Sequence, residues 1–167
     1  MRKSSAILIG LLFSFILSTS LVHAPVAMAE LAYQPPDGYA QQALALLLDA
    51  RRAAGLPDPQ LDLLLVDLAS QRSADMANRN YFGHGTPEGA SVFSLLAAMG
   101  VPWRYASETL QRNNYPAEQS AAEAARSLLD SPAHRAIILD PQYSALGIGH
   151  AVDAHGMHYY TIVWVAR

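Results

Sequence analysis

The sequence predicts an α+β fold in which the helices come first along the chain and the strands come last. Two stretches, 39–54 and 62–80, place apolar residues at helical spacing, and two segments near the carboxyl end, 144–152 and 157–166, are typical of strands. The last strand carries apolar side chains on both of its faces, and such a strand is normally covered on both sides. The sequence therefore predicts a sheet that is packed on both faces.

The composition of the chain excludes several classes of protein. The chain has 167 residues, a formal net charge of −3 and a hydrophobic content of 51%, which suits one domain with a packed core. No basic face is indicated, so we expect no nucleic-acid partner. The sequence contains no cysteine, which excludes disulfides, iron–sulfur clusters, Cys-rich zinc sites and a thiol nucleophile.

The first residues have the layout of a secretory signal peptide. Arg2 and Lys3 form a basic start, an apolar run spans 6–17, and small residues precede a cleavage position after Ala29. The alternative is an uncleaved membrane anchor, although serine and threonine interrupt the roughly 20 apolar residues that a span needs. We therefore predict a signal peptide at 1–29, a secreted or cell-envelope location, and no transmembrane span after cleavage.

The elements of the mature chain follow from capping and turn signals. Residues 30–38 contain two prolines and a glycine and are predicted to be a tether, so the domain itself is placed at 39–167. We expect the first helix to end at Gly55 and Asp62 to cap the second. Further helices are predicted after the cap residue Ser91 and after the first-turn prolines Pro116 and Pro132, with an extended segment at 101–110 between them.

Three polar residues at the ends of elements are candidates for a site. His84 lies in a loop between two glycines, where the alternative is a surface histidine that caps the preceding helix. Glu108 lies in an apolar extended segment, where the alternative is a solvent-facing position in an alternating strand. His134 lies in the first turn of a helix, where the alternative is a partly buried histidine bonded to backbone.

Together, these residues allow two kinds of chemistry. Two imidazoles and one carboxylate suit a divalent ion such as zinc. They equally suit a histidine general base that a carboxylate orients, and spacing alone does not choose between the two. Ser107 and Ser131 lie beside the candidates, but neither lies on a nucleophile-elbow pattern.

Other polar and aromatic residues are given structural interpretations. His150, His155 and His158 lie in or near the predicted hairpin and are predicted to be solvated turn residues. Whether His150 and His158 share a face depends on strand register. The eight tyrosines, with Trp103 and Trp164, could line a lipid or glycan groove, but such residues more often serve packing.

A series of short motifs between Tyr39 and Val165 resembles a known family. Leu48 to Leu56 is similar to an opening "LN..R...GL" helix, and the matches "YFSH", "GENI", "SPGHR" and "VGVG" follow in family order at 81–84, 107–110, 131–135 and 146–149. In this order and spacing, the chain resembles the CAP superfamily (cysteine-rich secretory, antigen 5 and pathogenesis-related 1 proteins), in particular the short bacterial SCP-like secreted type.

The resemblance implies an α-β-α sandwich with a small antiparallel sheet between helical layers. It also implies a cleft with a His/Glu/Glu/His tetrad, in which His84, Glu108 and His134 occupy three matching positions. In characterised relatives the histidine pair can bind zinc or another divalent cation. Asp130 is the only acid near the fourth position and is the candidate for it.

The expected function is therefore that of a secreted bacterial binding module for a lipid, glycan, cell-wall component or partner protein. The missing second glutamate favours binding over catalysis, because general acid–base work usually needs two protonation partners. The alternative is an extracellular hydrolase, peptidase-like or directed at the cell wall, with Glu108 and His134 as catalytic residues. The sequence predicts neither the ligand nor the oligomeric state.

Overall fold

The computed structural model describes residues 35–167, so the predicted signal peptide and most of the tether lie outside the described residues. The described part contains five helices and four strands. In chain order they are α1 Gly38–Ala53, β1 Gln60–Leu61, α2 Leu63–Arg79, α3 Val92–Ala98, β2 Tyr105–Asn113, α4 Ala117–Asp130, α5 Pro132–Ile138, β3 Ala145–Val152 and β4 His158–Ala166.

The strands form one sheet in the order β1-β3-β4-β2. The predicted antiparallel sheet is confirmed for β3, β4 and β2, while β1 pairs parallel to β3 and makes the sheet mixed. The sequence did not predict β1, because its two residues follow the proline-rich hinge 56–59 and are too few to show alternation. Strand β2 is left at the edge of the sheet, and this edge carries the site described below.

Helices cover both faces of the sheet, which confirms the predicted sandwich. Helices α1, α4 and α5 pack on one face around the buried ring of Trp164, and α2 and α3 pack on the other around Val163 and Val165. Every position of β4 is buried, as its two apolar faces predict. No helix among residues 35–167 is both long enough and apolar enough to cross a membrane.

Helix α2 lies unusually close to β3 because two glycines face it. A Cβ atom on Gly147 would lie 2.0 Å from the carbonyl carbon of Leu65, and one on Gly149 would lie 2.2 Å from the amide nitrogen of Ser70. Real Cβ atoms essentially never approach backbone this closely, so only glycine fits. This close packing fixes the position of α2 and hence of the loop that follows it.

Caps define where α2 begins and ends. The Asp62 carboxylate accepts a 2.8 Å hydrogen bond from the amide of Leu64, as predicted for an N-cap. Asn80 ends the helix in the left-handed conformation with φ 51°, which turns the chain directly into the loop that carries His84. Ser131 is the N-cap residue of α5, but its side chain makes no capping hydrogen bond.

Strand β2 begins and ends later than the predicted segment 101–110. It continues to Asn113, whose side-chain amide donates to the Gln111 side chain at 3.0 Å and to the Ser120 carbonyl at 3.1 Å. These bonds satisfy polar groups that are buried at the end of the strand. Sequence alone does not show such partners, so the extended segment was predicted to end at Leu110.

The prediction for the hairpin histidines was wrong for two of the three. The register pairs His150 with Tyr160 and Val152 with His158, which places both histidines on one face. Asp37 and His150 Nδ1 are 2.7 Å apart, and His150 Nε2 and His158 Nδ1 are 2.9 Å apart. Rings that pack beside the pair shield it, so the side chain of His150 is only 2% exposed. His155 is exposed in the turn, as predicted.

This buried pair predicts an acid-sensitive contribution to stability. Burial and the neighbouring His150 lower the pKa of His158, although Asp37 partly opposes them. The folded state therefore favours the neutral form of His158. The stability that this provides is complete above the pKa of about 6.5 that the residue has in the unfolded chain. It is lost as the pH falls through the lower pKa that the residue has in the folded state. Urea unfolding from pH 8 to 5 should show a shallower loss of stability in His158→Gln than in wild type. The control His155→Gln should keep the wild-type slope, and a His158→Gln slope equal to it would contradict this account.

Candidate functional site

Glu108 is the centre of the candidate site. Its side chain points from β2 toward α2 and is 2% exposed, so the solvent-facing alternative is excluded. Arg72 Nε donates to Oε1 at 3.1 Å, and His84 Nδ1 lies 2.8 Å from Oε2. Both carboxylate oxygens therefore have a charged or polar partner, as a buried carboxylate requires.

Arg72 joins α2 to the sheet and to the site loop. Besides the bond to Glu108, its guanidinium donates to the Tyr81 hydroxyl and to the Gly83 carbonyl, each at 2.7 Å. The Tyr81 hydroxyl in turn donates to Asp75. Burial opposes the charged guanidinium, but Glu108 and Tyr81 outweigh it and raise the pKa of Arg72. One cation therefore holds the loop at two residues that precede His84.

His84 is oriented by Glu108 and faces solvent. A carboxylate only accepts hydrogen bonds, so the Nδ1–H of His84 is the donor in the 2.8 Å bond. In neutral imidazole the other nitrogen, Nε2, then carries a lone pair. The side chain is 64% exposed, so this lone pair is available to a ligand or a metal ion.

His134 brings a second imidazole from the opposite helical layer. It lies in the first turn of α5, which packs against β2. Burial lowers the pKa of His134, and repulsion from the nearby His84 lowers it further. The sequence predicts that His84 and His134 lie close together, and the repulsion between them is consistent with that prediction.

Asp130, the candidate for the fourth position, has a different partner. Its carboxylate accepts a 2.7 Å bond from Arg126 one turn earlier on α4, and its side chain is exposed. Within the described residues no hydrogen bond joins it to His84, Glu108 or His134. Its place in a tetrad stays a prediction without support from this geometry.

A cleft of about 210 Å³ lies at this edge of the sheet. It is lined by His84, Ser91, Val92, Phe93, Ser107 and Glu108. The Ser107 hydroxyl accepts a 2.6 Å bond from Tyr143. Across residues 35–167, neither this serine nor Ser131 is hydrogen-bonded to His84 or His134, so the geometry does not support a serine nucleophile.

Sequence reasoning missed Arg72 and Tyr81, but one signal for the arginine was present. Arg72 lies in the apolar stripe of α2, between Ala69 and Met76, where a charge is costly unless it is paired. An arginine in such a stripe predicts a buried carboxylate partner elsewhere in the chain. The partner lies 36 residues away, and only the tertiary fold identifies it as Glu108.

The site suits a metal ion only in part. Among residues 35–167, no group of three or more histidine, aspartate or glutamate side chains is arranged to hold a metal. Both oxygens of Glu108 are already bonded, whereas the His84 side chain is exposed and lies near enough to His134 to lower the pKa of that residue. The donor set therefore fits two imidazole ligands with a carboxylate behind one of them, a common arrangement around protein-bound metals.

The fold and the site together define a class. A sheet between helical layers, with a His/Glu-lined cleft at its edge strand, is the architecture of an SCP-type domain. The model of the CAP family, described as the cysteine-rich secretory protein family, matches residues 44–166. The chain belongs to this family, as its motifs predicted, although it contains no cysteine.

Several similar proteins come from bacteria. The uncharacterised protein YkwD of Bacillus subtilis is 28% identical over 112 residues, which are 67% of this chain and 42% of that protein. An extracellular SCP-domain protein from Bacillus anthracis is 26% identical with a TM-score of 0.67, over 78% of this chain and 41% of the other. An outer surface protein from Borrelia burgdorferi shares the fold at 12% identity with a TM-score of 0.69, over 77% of this chain and 92% of the other. The chain thus spans about two fifths of the length of the two Bacillus relatives.

Proposed function

We propose that this protein is an extracellular binding module that holds a divalent cation between His84, which lines the cleft, and His134. The observation that carries the proposal is the 2.8 Å bond between Glu108 and His84 Nδ1, which leaves Nε2 out of that bond on a side chain that is 64% exposed. Family membership and relatives described as extracellular or outer surface proteins support the location. The predicted signal peptide is consistent with that location.

Glu108 acts in this proposal as an orienting residue rather than as a third ligand. Its two oxygens are occupied by Arg72 and His84, so it fixes the tautomer of the imidazole and increases its basicity. Two imidazoles leave other coordination positions to water or to a bound ligand. A bound zinc ion would supply Lewis acidity at the open side of the cleft. The ligand is an envelope component: a lipid, a glycan, a cell-wall polymer or a partner protein.

Zinc uptake tests the proposal directly. In equilibrium dialysis, wild-type protein should bind about one zinc per chain, and His84→Ala and His134→Ala should each lose at least tenfold in affinity. Glu108→Gln should weaken binding by about 10–100-fold, because the carboxylate behind the ligand is lost. The matched control is His155→Ala, an exposed turn histidine that should leave uptake unchanged. Equal zinc uptake by wild type and by the His84→Ala/His134→Ala variant would contradict the proposal that these two histidines bind a metal ion.

The hydrolase alternative is less consistent with this geometry. A general acid or base must exchange its proton during the reaction, whereas Glu108 is buried and neutralised by Arg72. Assays on casein and on peptidoglycan, with and without zinc, should therefore detect no turnover. Turnover that disappears in a folded Glu108→Gln variant would establish catalysis and contradict the binding proposal.

A further inference from the structure

We propose that the cleft binds an uncharged oligosaccharide strand, which stacks on the exposed aromatic rings of Phe93, Trp103 and Tyr105. This inference rests on the proposed function, since it names the ligand class of the same cleft. It requires neither the metal ion nor catalysis.

The first aromatic surface lies on the α3 side of the cleft. The Phe93 and Trp103 side chains are 45% and 40% exposed, and their ring centroids are 5.8 Å apart at an angle of 45°. Phe93 lines the cleft together with His84 and Glu108. Since helix α3 is anchored by its buried residues Val92 and Leu96, the ring is presented to solvent from a fixed support.

The second aromatic surface lies on the other face of β2. Alternate residues of a strand point to opposite faces, so Tyr105 and Ser107 point away from the face that carries Glu108. Tyr105 is 42% exposed and stacks on the buried ring of Tyr143, with centroids 5.2 Å apart at 13°. The cleft is therefore lined by the exposed ring of Phe93, and the exposed ring of Tyr105 lies two residues along β2 from Ser107, which also lines the cleft.

The surface of this cleft is largely apolar, and the few polar groups that line it are electrically balanced. Glu108 is neutralised by Arg72, so a charged ligand would find no excess of opposite charge there. The Ser107 hydroxyl accepts its bond from Tyr143, which leaves its own proton free to donate. In the metal-free protein, His84 Nε2 offers an acceptor in the same cleft. These groups suit a ligand rich in hydroxyls and without charge.

Ring faces and cleft size favour a sugar chain over an acyl chain. The face of an aromatic ring is electron-rich and attracts the weakly positive C–H groups of a sugar ring, while the hydroxyls of the same sugar reach polar partners. A cleft of about 210 Å³ is smaller than the roughly 300–1,000 Å³ of a pocket that encloses a whole ligand. One sugar would occupy it, and neighbouring sugars would lie on the exposed rings.

The two tryptophans make the binding measurable. Trp164 is completely buried, so a change in tryptophan fluorescence on addition of chitotetraose reports on Trp103. In the presence of EDTA, we expect a saturable change for wild type. By calorimetry under the same conditions, Phe93→Ala and Trp103→Ala should each lower the affinity at least tenfold. The matched control is Tyr115→Ala, an equally exposed ring (43%) near the far end of β2, which should bind as wild type does.

The outcomes separate this inference from the metal proposal. Sugar binding in EDTA that depends on Phe93 and Trp103 supports it, whatever the zinc uptake. Absence of saturable binding to both chitotetraose and cellotetraose overturns it, and so does an equal loss of affinity in Tyr115→Ala. Binding to phosphatidylcholine vesicles in place of sugars, lost in the same two variants, would assign the rings to a membrane surface and overturn it as well.

Discussion

Replacing Arg72 with methionine is expected to lower the free energy of unfolding by about 3–5 kcal/mol, because it leaves a carboxylate buried without its cation. Arg72 and Glu108 are each 2% exposed and are 3.1 Å apart, so water cannot replace the lost partner. The same substitution removes the bonds that hold the Tyr81 hydroxyl and the Gly83 carbonyl. Guanidinium unfolding monitored by circular dichroism measures the change.

Two further variants show whether the buried charge is the cause. Arg72→Met/Glu108→Leu removes both charges and should recover much of the lost stability, because apolar replacement of a whole buried pair is often neutral or stabilising. Arg52→Met removes an exposed arginine paired with Asp49 and Asp58 and should change stability little. If Arg72→Met is as stable as Arg52→Met, the ion pair does not have the role assigned to it.

Replacing Gly147 with alanine is the second substitution with a large expected effect. The added methyl would meet the backbone of α2 2.0 Å away, and backbone cannot move aside as a flexible side chain can. Either α2 shifts away from β3 or the strand bends, at a cost at or above the upper end of the 1–3 kcal/mol typical of overpacked cores. Gly149→Ala should behave similarly, since its methyl would meet Ser70 at 2.2 Å. Thermal unfolding measures both.

The control for these glycines is Gly38→Ala. Gly38 is the first residue of α1, and nothing lies within 4 Å of an added Cβ. Alanine favours helix more than glycine does, so this variant should be as stable as wild type or slightly more stable. A Gly147→Ala protein with the stability of Gly38→Ala would show that α2 and β3 are not in close contact.

Local signals in the sequence predicted most of the elements. The Asp62 and Ser91 caps and the first-turn proline Pro132 mark helix starts within a residue or two of those observed. The two apolar faces of β4 predicted a sheet covered on both sides. These features depend on neighbouring residues, which is why the sequence is sufficient to predict them.

Features that depend on contacts between distant residues were not predictable. The Arg72–Glu108 pair spans 36 residues, and the Asp37–His150 contact spans 113. The exposure of a histidine in a strand depends on which rings pack beside it, so His150 and His158 were expected to be solvated and are buried. Family motifs located His84, Glu108 and His134, but only the tertiary structure shows that Glu108 has both oxygens occupied.

The tautomer of His84 tests the central claim most directly. We expect long-range ¹H–¹⁵N correlation spectra at pH 8 to show a protonated Nδ1 and an unprotonated Nε2, because Glu108 accepts from Nδ1. In Glu108→Gln this preference should weaken, while the exposed His155 should be unchanged and serve as an internal reference. A wild-type spectrum with the proton on Nε2 would mean that Glu108 does not hold His84, and the site as described would not exist.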